Sequence, residues 1–157
     1  MTVRDIRDLL ETQPTFAGLA ADELDVIAGC GRNVHIPAGT SIFREGEAAD
    51  TFFVIREGRA AVEIRVPQGG SLVLDTLGAG EVLGWSWLFA PYRWHFDARA
   101  ADDIRAIALD GECLRGKCAE DPRLGYDLMQ RFAQLMLDRL QSARVRLLDL
   151  YGSRGPR

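Results

Sequence analysis

The sequence predicts a mainly β protein with flanking helices: a β-sandwich or barrel followed by a long C-terminal helix. Two observations carry the fold class. Between residues 33 and 110, apolar stretches of about four to eight residues alternate with glycine-marked turns, the texture of a barrel or sandwich. On either side of that region, apolar residues recur three and four apart, which places them on one face of a helix.

Residues 2–12 carry Val3, Ile6, Leu9 and Leu10 at helical spacing, and Pro14 breaks the pattern. A second short helix is expected over 20–28, with Asp22 near its start, Leu24, Ile27 and Ala28 facing inward, and Gly29 and Gly31 ending it. Strands are expected at 34–36, 40–43, 51–56, 60–66, 72–77, 96–101 and 104–109. Gly39, Gly46, Gly58, Gly78 and Gly80 mark the turns between them, and residues 67–70, Pro-Gln-Gly-Gly, form a hairpin tip. Helix returns at 112–119 and runs again over 122–151. The expected organisation is one domain over 1–151, with helices in 2–28, the β-roll in 33–110, C-terminal helices in 112–151 and a frayed tail at 152–157.

The long helix is the most informative element for assembly. Met129, Ala133, Met136, Leu140, Ala143, Leu147 and Leu150 alternate by four and three, an a/d seam sustained for three heptads. At ~1.5 Å per residue the helix would reach roughly 40 Å, more than a small barrel can cover. Part of the seam is therefore expected to meet another chain, as a homodimer or with a protein to be regulated.

Composition narrows the function classes. The chain has 157 residues, is 47% hydrophobic and 27% charged, and no apolar run approaches the roughly 18 residues that span a bilayer, so no membrane association is expected. The opening MTVRDIRDLLETQ lacks an apolar signal core, which gives the expectation of a cytoplasmic protein. A net charge of −4 argues against nucleic acid as a partner, and Arg139, Arg144 and Arg146 read as solvated helix faces, with Arg154 and Arg157 in the tail. Three cysteines, Cys30, Cys113 and Cys118, with His35 and His95, offer no zinc spacing and read as buried reduced thiols. Nor is a catalytic constellation visible. Ser86 has no histidine at a defined spacing, Cys113 and Cys118 lie on a helix without a partner, and Asp102, Asp103, Glu120 and Asp121 read as turn and helix-start residues.

Several stretches together resemble the cyclic nucleotide-binding domain family, with a catabolite activator-like β-roll. Phe16-Ala17-Gly18-Leu19 followed by Leu24 is similar to the family's first helix. Ile36-Pro37-Ala38-Gly39-Thr40-Ser41-Ile42-Phe43-Arg44-Glu45-Gly46-Glu47 is similar to its first hairpin, and the run from Phe52 to Val62 to its central strands. The resemblance covers 16–151 and implies a double-stranded β-helix or jelly-roll barrel, a ligand-binding β-roll, plus a long C-terminal dimerisation helix that responds to pocket occupancy. In many bacterial members that helix leads into a helix-turn-helix domain. Here six residues follow Tyr151, so DNA regulation by this chain alone is not expected.

The resemblance also implies a phosphate-binding cassette, GEVLGWSWLFAPYRWHF, at residues 80–96. In the family this loop opens with Gly-Glu, passes a second Gly-Glu at a short helix and ends at an arginine nine positions later. Backbone N–H groups at the helix start and the arginine hold the phosphate, and the second glutamate accepts from the ribose. Gly80, Glu81, Val82, Leu83 and Gly84 keep the frame. Trp85 stands where the ribose-binding glutamate belongs, and Trp94 where the arginine belongs. Losing a charge-assisted anchor worth about 1.5–3 kcal/mol and a ribose acceptor worth about 1 kcal/mol would weaken cyclic nucleotide binding roughly 100-fold.

Trp85, Trp87 and Trp94 are all the tryptophans of the chain, and they fall within ten residues, beside Ser86. Three readings follow. The rings plug the vacated pocket and extend the core; or they form an aromatic site for a different flat or weakly charged ligand, oriented by Arg93 or His95; or cAMP or cGMP still binds, with Arg93, His95 or Arg99 as the replacement anchor. The first gives a regulatory module, non-catalytic and with its ordinary ligand weakened or lost.

Overall fold

The computed structural model describes residues 2–152; the tail beyond Gly152, with Arg154 and Arg157, lies outside the described residues. Thr2 opens α1 (Val3–Glu11) through a reciprocal cap: its Oγ1 accepts from the Asp5 backbone N–H at 3.2 Å, and Asp5 Oδ2 accepts from the Thr2 N–H at 2.8 Å. Ile6 and Leu10, one turn apart, are the buried face of this helix. After α2 (Ala21–Gly29), Gly31 does not merely end a helix but begins β1 (Gly31–Ile36).

The β-roll then follows as β2 (Ser41–Phe43), β3 (Thr51–Glu57), β4 (Ala60–Arg65), β5 (Ser71–Leu77), β6 (Val82–Leu83), β7 (Asp97–Ala100) and β8 (Ile104–Asp110). These make two four-stranded antiparallel sheets, ordered β1-β8-β3-β6 and β2-β7-β4-β5. The two-residue strand β6 was not expected from the sequence, because a pair of residues shows no alternation. It is recruited by β3, where Val54 faces Val82 and Phe53 faces Leu83.

Strand alternation divides the interior into two cores. On β3, Phe52 and Val54 face the helices while Ile55 faces into the barrel; on β8, Ile107 and Leu109 face the helices while Ile104 and Ala106 face the barrel. The helical core gathers Phe16, Leu24, Ile27, Leu114, Leu124, Leu128 and Phe132 around that sheet. The barrel core is made of smaller side chains, with Ala60, Ala98, Ala100 and Ala106 among its buried residues.

Two capped helices close the chain. Asp110 accepts from the Cys113 N–H at 2.9 Å and starts α3 (Gly111–Glu120). Asp121 accepts from the N–H groups of Arg123 and Leu124, and Pro122 takes the first position of α4 (Pro122–Gly152), where a missing N–H costs nothing. Arg131 of α4 donates to the carbonyls of Thr15 and Ala17 at 2.8 and 2.6 Å, tying the N-terminal segment to the long helix.

The cysteines correct the expectation of reduced thiols. Cys30 and Cys113 form a disulfide, with Cα atoms 5.8 Å apart, joining the end of α2 to the start of α3. Their separation of 83 residues hides this contact from local sequence patterns. Cys118 is free, and burial, followed by the charge of Asp121, pushes its thiol above the ordinary range, away from reactive thiolate character.

Gly58, at φ 88°, turns the chain between β3 and β4, and a Cβ there would overlap the carbonyl oxygen of Asp103. Gly58→Ala is expected to cost about 2 kcal/mol or more of stability. Urea unfolding checks this, and a loss of only a few tenths of a kcal/mol would show that the turn relaxes around the methyl group.

Candidate ligand-binding site

The cassette begins as a sheet edge. The Gly80 N–H donates to the Ile55 carbonyl at 2.8 Å and the Ile55 N–H to the Glu81 carbonyl at 2.9 Å, which fixes the register that β6 continues. Period-two alternation sends Val82 into the helical core and Leu83 into the barrel. Gly84, at φ 97°, then turns the chain into Trp85 and a 3-10 turn over Ser86–Leu88. The return arm pairs with the segment before β3: the Trp94 N–H donates to the Glu47 carbonyl at 3.0 Å and the Gly46 N–H to the Trp94 carbonyl at 2.8 Å.

The three tryptophans do three different things. Trp94 is buried and stacked on Phe43, with centroids 3.9 Å apart and planes 9° from parallel. Its ring lies where a Cβ on residue 84 would be, 2.5 Å from that point, so the glycine is required by the indole as well as by its φ. Trp85 is half-buried and lines the barrel cavity. Trp87 is not in the pocket at all. It is fully buried in the helical core, stacked on Phe52 at 4.5 Å and edge-on to Phe132 at 5.3 Å. Its Nε1 has no hydrogen-bond partner, a cost set against a buried aromatic area of about 150–250 Å².

A cavity of about 340 Å³ remains in the barrel, walled by Phe43, Val62, Leu74, Leu77 and Leu83 and reached by Gly84, Trp85, Ser86, Trp94, His95 and Phe96. The buried alanines of the barrel core leave this space beside the tryptophans. Gly80, Glu81 and Val82 do not line it. Ser86 Oγ and His95 Nδ1 lie 3.3 Å apart, so the fold pairs a serine and a histidine that the sequence reading left separate. Among the described residues no carboxylate bonds His95, and the third member of a nucleophilic triad is missing.

The candidate anchors need correction. Arg93 is exposed, donates to the Gly46 carbonyl at 3.2 Å and does not line the cavity. Arg99 pairs with Glu63 at 2.8 Å and is likewise not a lining residue. The cations at the cavity come instead from α4, as Arg139 and Arg146, two residues the sequence read as solvated faces. Arg139 bridges Asp75 at 2.8 Å and Glu81 at 2.6 Å. Arg146 donates to the Leu74 carbonyl at 2.9 Å and stands 3.8 Å from Asp75. A charged helix residue is ordinarily solvent-facing, so the signal that finds these two is their spacing of seven, two turns along one face, in phase with Phe132.

The seam is divided in the same way. Met129, Leu140 and Leu147 are 42%, 48% and 53% exposed, and Ala133 is also exposed. Met136, however, packs against the helical core and Ala143 lines the cavity. Leu137, 46% exposed, takes the outward place that the sequence reading gave to Met136.

Gly84→Ala must displace the Trp94 ring, so it is expected to unfold the return arm of the cassette and shift tryptophan emission to the red, with about 2 kcal/mol or more of lost stability. An unshifted spectrum with an unchanged melting midpoint would contradict the packing described. Trp87→Ala should cost about 3–5 kcal/mol, whereas Trp87→Phe, which discards an unpartnered N–H, should cost much less. Chemical denaturation of the pair measures the difference.

Comparison with known proteins agrees with this geometry. The sequence profile described as the cyclic nucleotide-binding domain matches residues 33–121. A CRP-like cAMP-activated global transcriptional regulator of Mycobacterium tuberculosis is 25% identical over 143 residues, covering 91% of this chain and 62% of that protein. The chain thus spans less than two thirds of that relative's length. The structure is similar to the Thermus thermophilus catabolite activator protein, with a TM-score of 0.68 at 26% identity over 88% of this chain and 63% of that one. It also resembles a cyclic nucleotide-binding domain from Methylobacillus flagellatus, with a TM-score of 0.77 over 94% of this chain and 83% of that one, a likeness of fold at 20% identity. Profile, β-roll and long following helix together show that the chain belongs to the cyclic nucleotide-binding domain family, among members similar to the bacterial catabolite activators.

Proposed function

We propose that residues 1–151 form a regulatory, non-catalytic domain of this family whose pocket is altered so that ordinary cyclic nucleotide binding is weak or lost, and which acts as a homodimer through α4. The observation that carries the altered pocket is Trp94. By the resemblance it stands where the family's phosphate-binding arginine would be, and its ring is stacked on Phe43 and seated over Gly84. Neither Arg93 nor Arg99 supplies a charge to the cavity, because both are engaged outside it. The serine and histidine at the pocket lack an orienting carboxylate among the described residues, which supports a binding role over a hydrolytic one.

Support for the homodimer is the outward face of α4, where Met129, Leu137, Leu140 and Leu147 present an apolar strip that the chain's own barrel does not cover. Signal would pass from the cassette to this strip through Trp87 and Phe132 and through the Glu81–Arg139 pair, with the α3–α4 junction at Asp121 as the hinge. A cyclic nucleotide sensor is the second reading, favoured by family membership and by Arg146 at the cavity. DNA regulation belongs to the relatives that are named for it, and this chain covers only part of their length.

Calorimetric titration with cAMP and with cGMP separates the readings. No heat of binding at millimolar nucleotide is the expected outcome; saturable micromolar binding would overturn the altered-pocket reading. For assembly, Leu140→Glu should weaken a homodimer at least tenfold in sedimentation velocity while leaving the thermal unfolding of the β-roll in place. A dimer unaffected by this charge would place the contact elsewhere.

A further inference from the structure

We propose that the barrel cavity takes a small aromatic or apolar monoanion, with the ring among the tryptophans and the charged group held by Arg146 of α4. This rests on the altered-pocket reading and supplies the ligand class that reading leaves open. At about 340 Å³ the cavity is at the small end of the range usual for ligand sites, roughly 300–1,000 Å³. Its walls are aliphatic and aromatic, so the gain on binding comes from an apolar body. Its polar groups gather at two places: Ser86 with His95 beside the cassette, and Asp75, Arg139 and Arg146 at the α4 side.

The charges at the α4 side are not equivalent. Arg139 has one terminal nitrogen on Asp75 and the other on Glu81, both at bonding distance, so an incoming anion would have to break an ion pair to use it. Arg146 bonds a neutral carbonyl, that of Leu74, and its distance to Asp75 is 3.8 Å. Exchanging that carbonyl for a carboxylate replaces a hydrogen bond with one ionised partner by one with two, in the fork geometry that suits a guanidinium. A cationic ligand would meet two arginines and contend with Arg139 for Asp75. A dianion would find a single cation not already paired at bonding distance among the described lining residues. A monoanion fits both constraints.

The same contact gives the ligand a lever on the helix. Arg146 is the neighbour of Leu147 on the exposed strip, so an anion bridging Arg146 to the pocket would fix this stretch of α4 against the barrel. Ligand occupancy and the disposition of the strip would then be coupled.

The test is calorimetry of the whole chain with 4-phenylbutyrate and with its neutral isostere 4-phenylbutyramide, repeated on Arg146→Gln and Arg146→Lys, with cAMP titrated in parallel. The acid is expected to bind about tenfold more tightly than the amide. Arg146→Gln should bring the acid down to the amide's affinity, and Arg146→Lys should keep part of the preference, with both variants melting as the parent does. Equal affinity for acid and amide, binding of neither at millimolar levels, or an acid preference that survives Arg146→Gln would each overturn the ligand class. The cAMP arm reports on the underlying reading independently. Saturable micromolar binding of cAMP overturns the altered pocket whatever the acid does, whereas absent cAMP binding together with absent acid preference overturns the ligand class alone.

Discussion

The stacking of Trp87 on Phe52, with Phe132 edge-on to both, is the contact on which the rest of the structure depends. Each ring comes from a different part of the molecule: Phe52 from the central strand β3, Trp87 from the cassette and Phe132 from α4. Burying one such ring removes about 150–250 Å² from water, worth roughly 4–6 kcal/mol at 25 cal/mol per Å² before entropy is counted. That exceeds what any single exposed ion pair contributes. The cassette is therefore fastened to the long helix by apolar packing. Arg115 of α3 adds to it, donating to the Trp87 carbonyl at 2.6 Å and lying 4.0 Å over the Tyr92 ring.

The second fastening is of another kind. Arg139 joins α4 to β5 through Asp75 and to the cassette through Glu81, but Glu81 is 43% exposed and the arginine 25%. Partly solvated pairs of this sort are screened by salt and are worth about 0–1 kcal/mol each. Hence the first part of α4, down to Phe132, is held firmly, while the part from Arg139 to Arg146 is held by contacts that exchange readily. The proposed signalling role would use this gradient: a fixed root and a distal stretch whose position a weak ligand could bias.

Much of the fold was legible because it rests on local repeats. Glycine-punctuated strands, alternation and the helical spacing of Ile6 and Leu10 are all contained within a few residues, and strand positions followed from them. What was missed depends on distance. The Cys30–Cys113 disulfide joins residues far apart in the chain, and β6 is too short to show a period. Within the site, the frame from Gly80 to Gly84 and the clustering of Trp85, Trp87 and Trp94 were readable, but where each ring went was not. Trp87 joined the helical core, against which Trp85 also packs, and Arg93 lies outside the cavity, bonded to the Gly46 carbonyl. The basic residues at the cavity came from a helix some fifty positions later, and no spacing within the cassette announces them.

The double character of α4 explains why its seam read incompletely. A strict heptad assigns one face to a partner, whereas this helix must satisfy two surfaces at once: Leu124, Leu128 and Phe132 are buried in its own chain, and Met129, Leu137, Leu140 and Leu147 face outward. Met136 and Ala143 fall between the two and turn to the barrel side. With 3.6 residues per turn against a repeat of 3.5, positions seven apart drift by about 20° per heptad around a straight helix axis, the outward strip and the inward face together. The distal half of a straight α4 therefore presents its apolar strip in a direction different from that at the root. On the proposed function, a ligand that binds the cavity better with the distal half in one disposition would shift the strip by as much as its affinities differ and no further. On that same reading, small residues in the barrel, a weakly paired arginine and an apolar face on one helix would be parts of a single equilibrium.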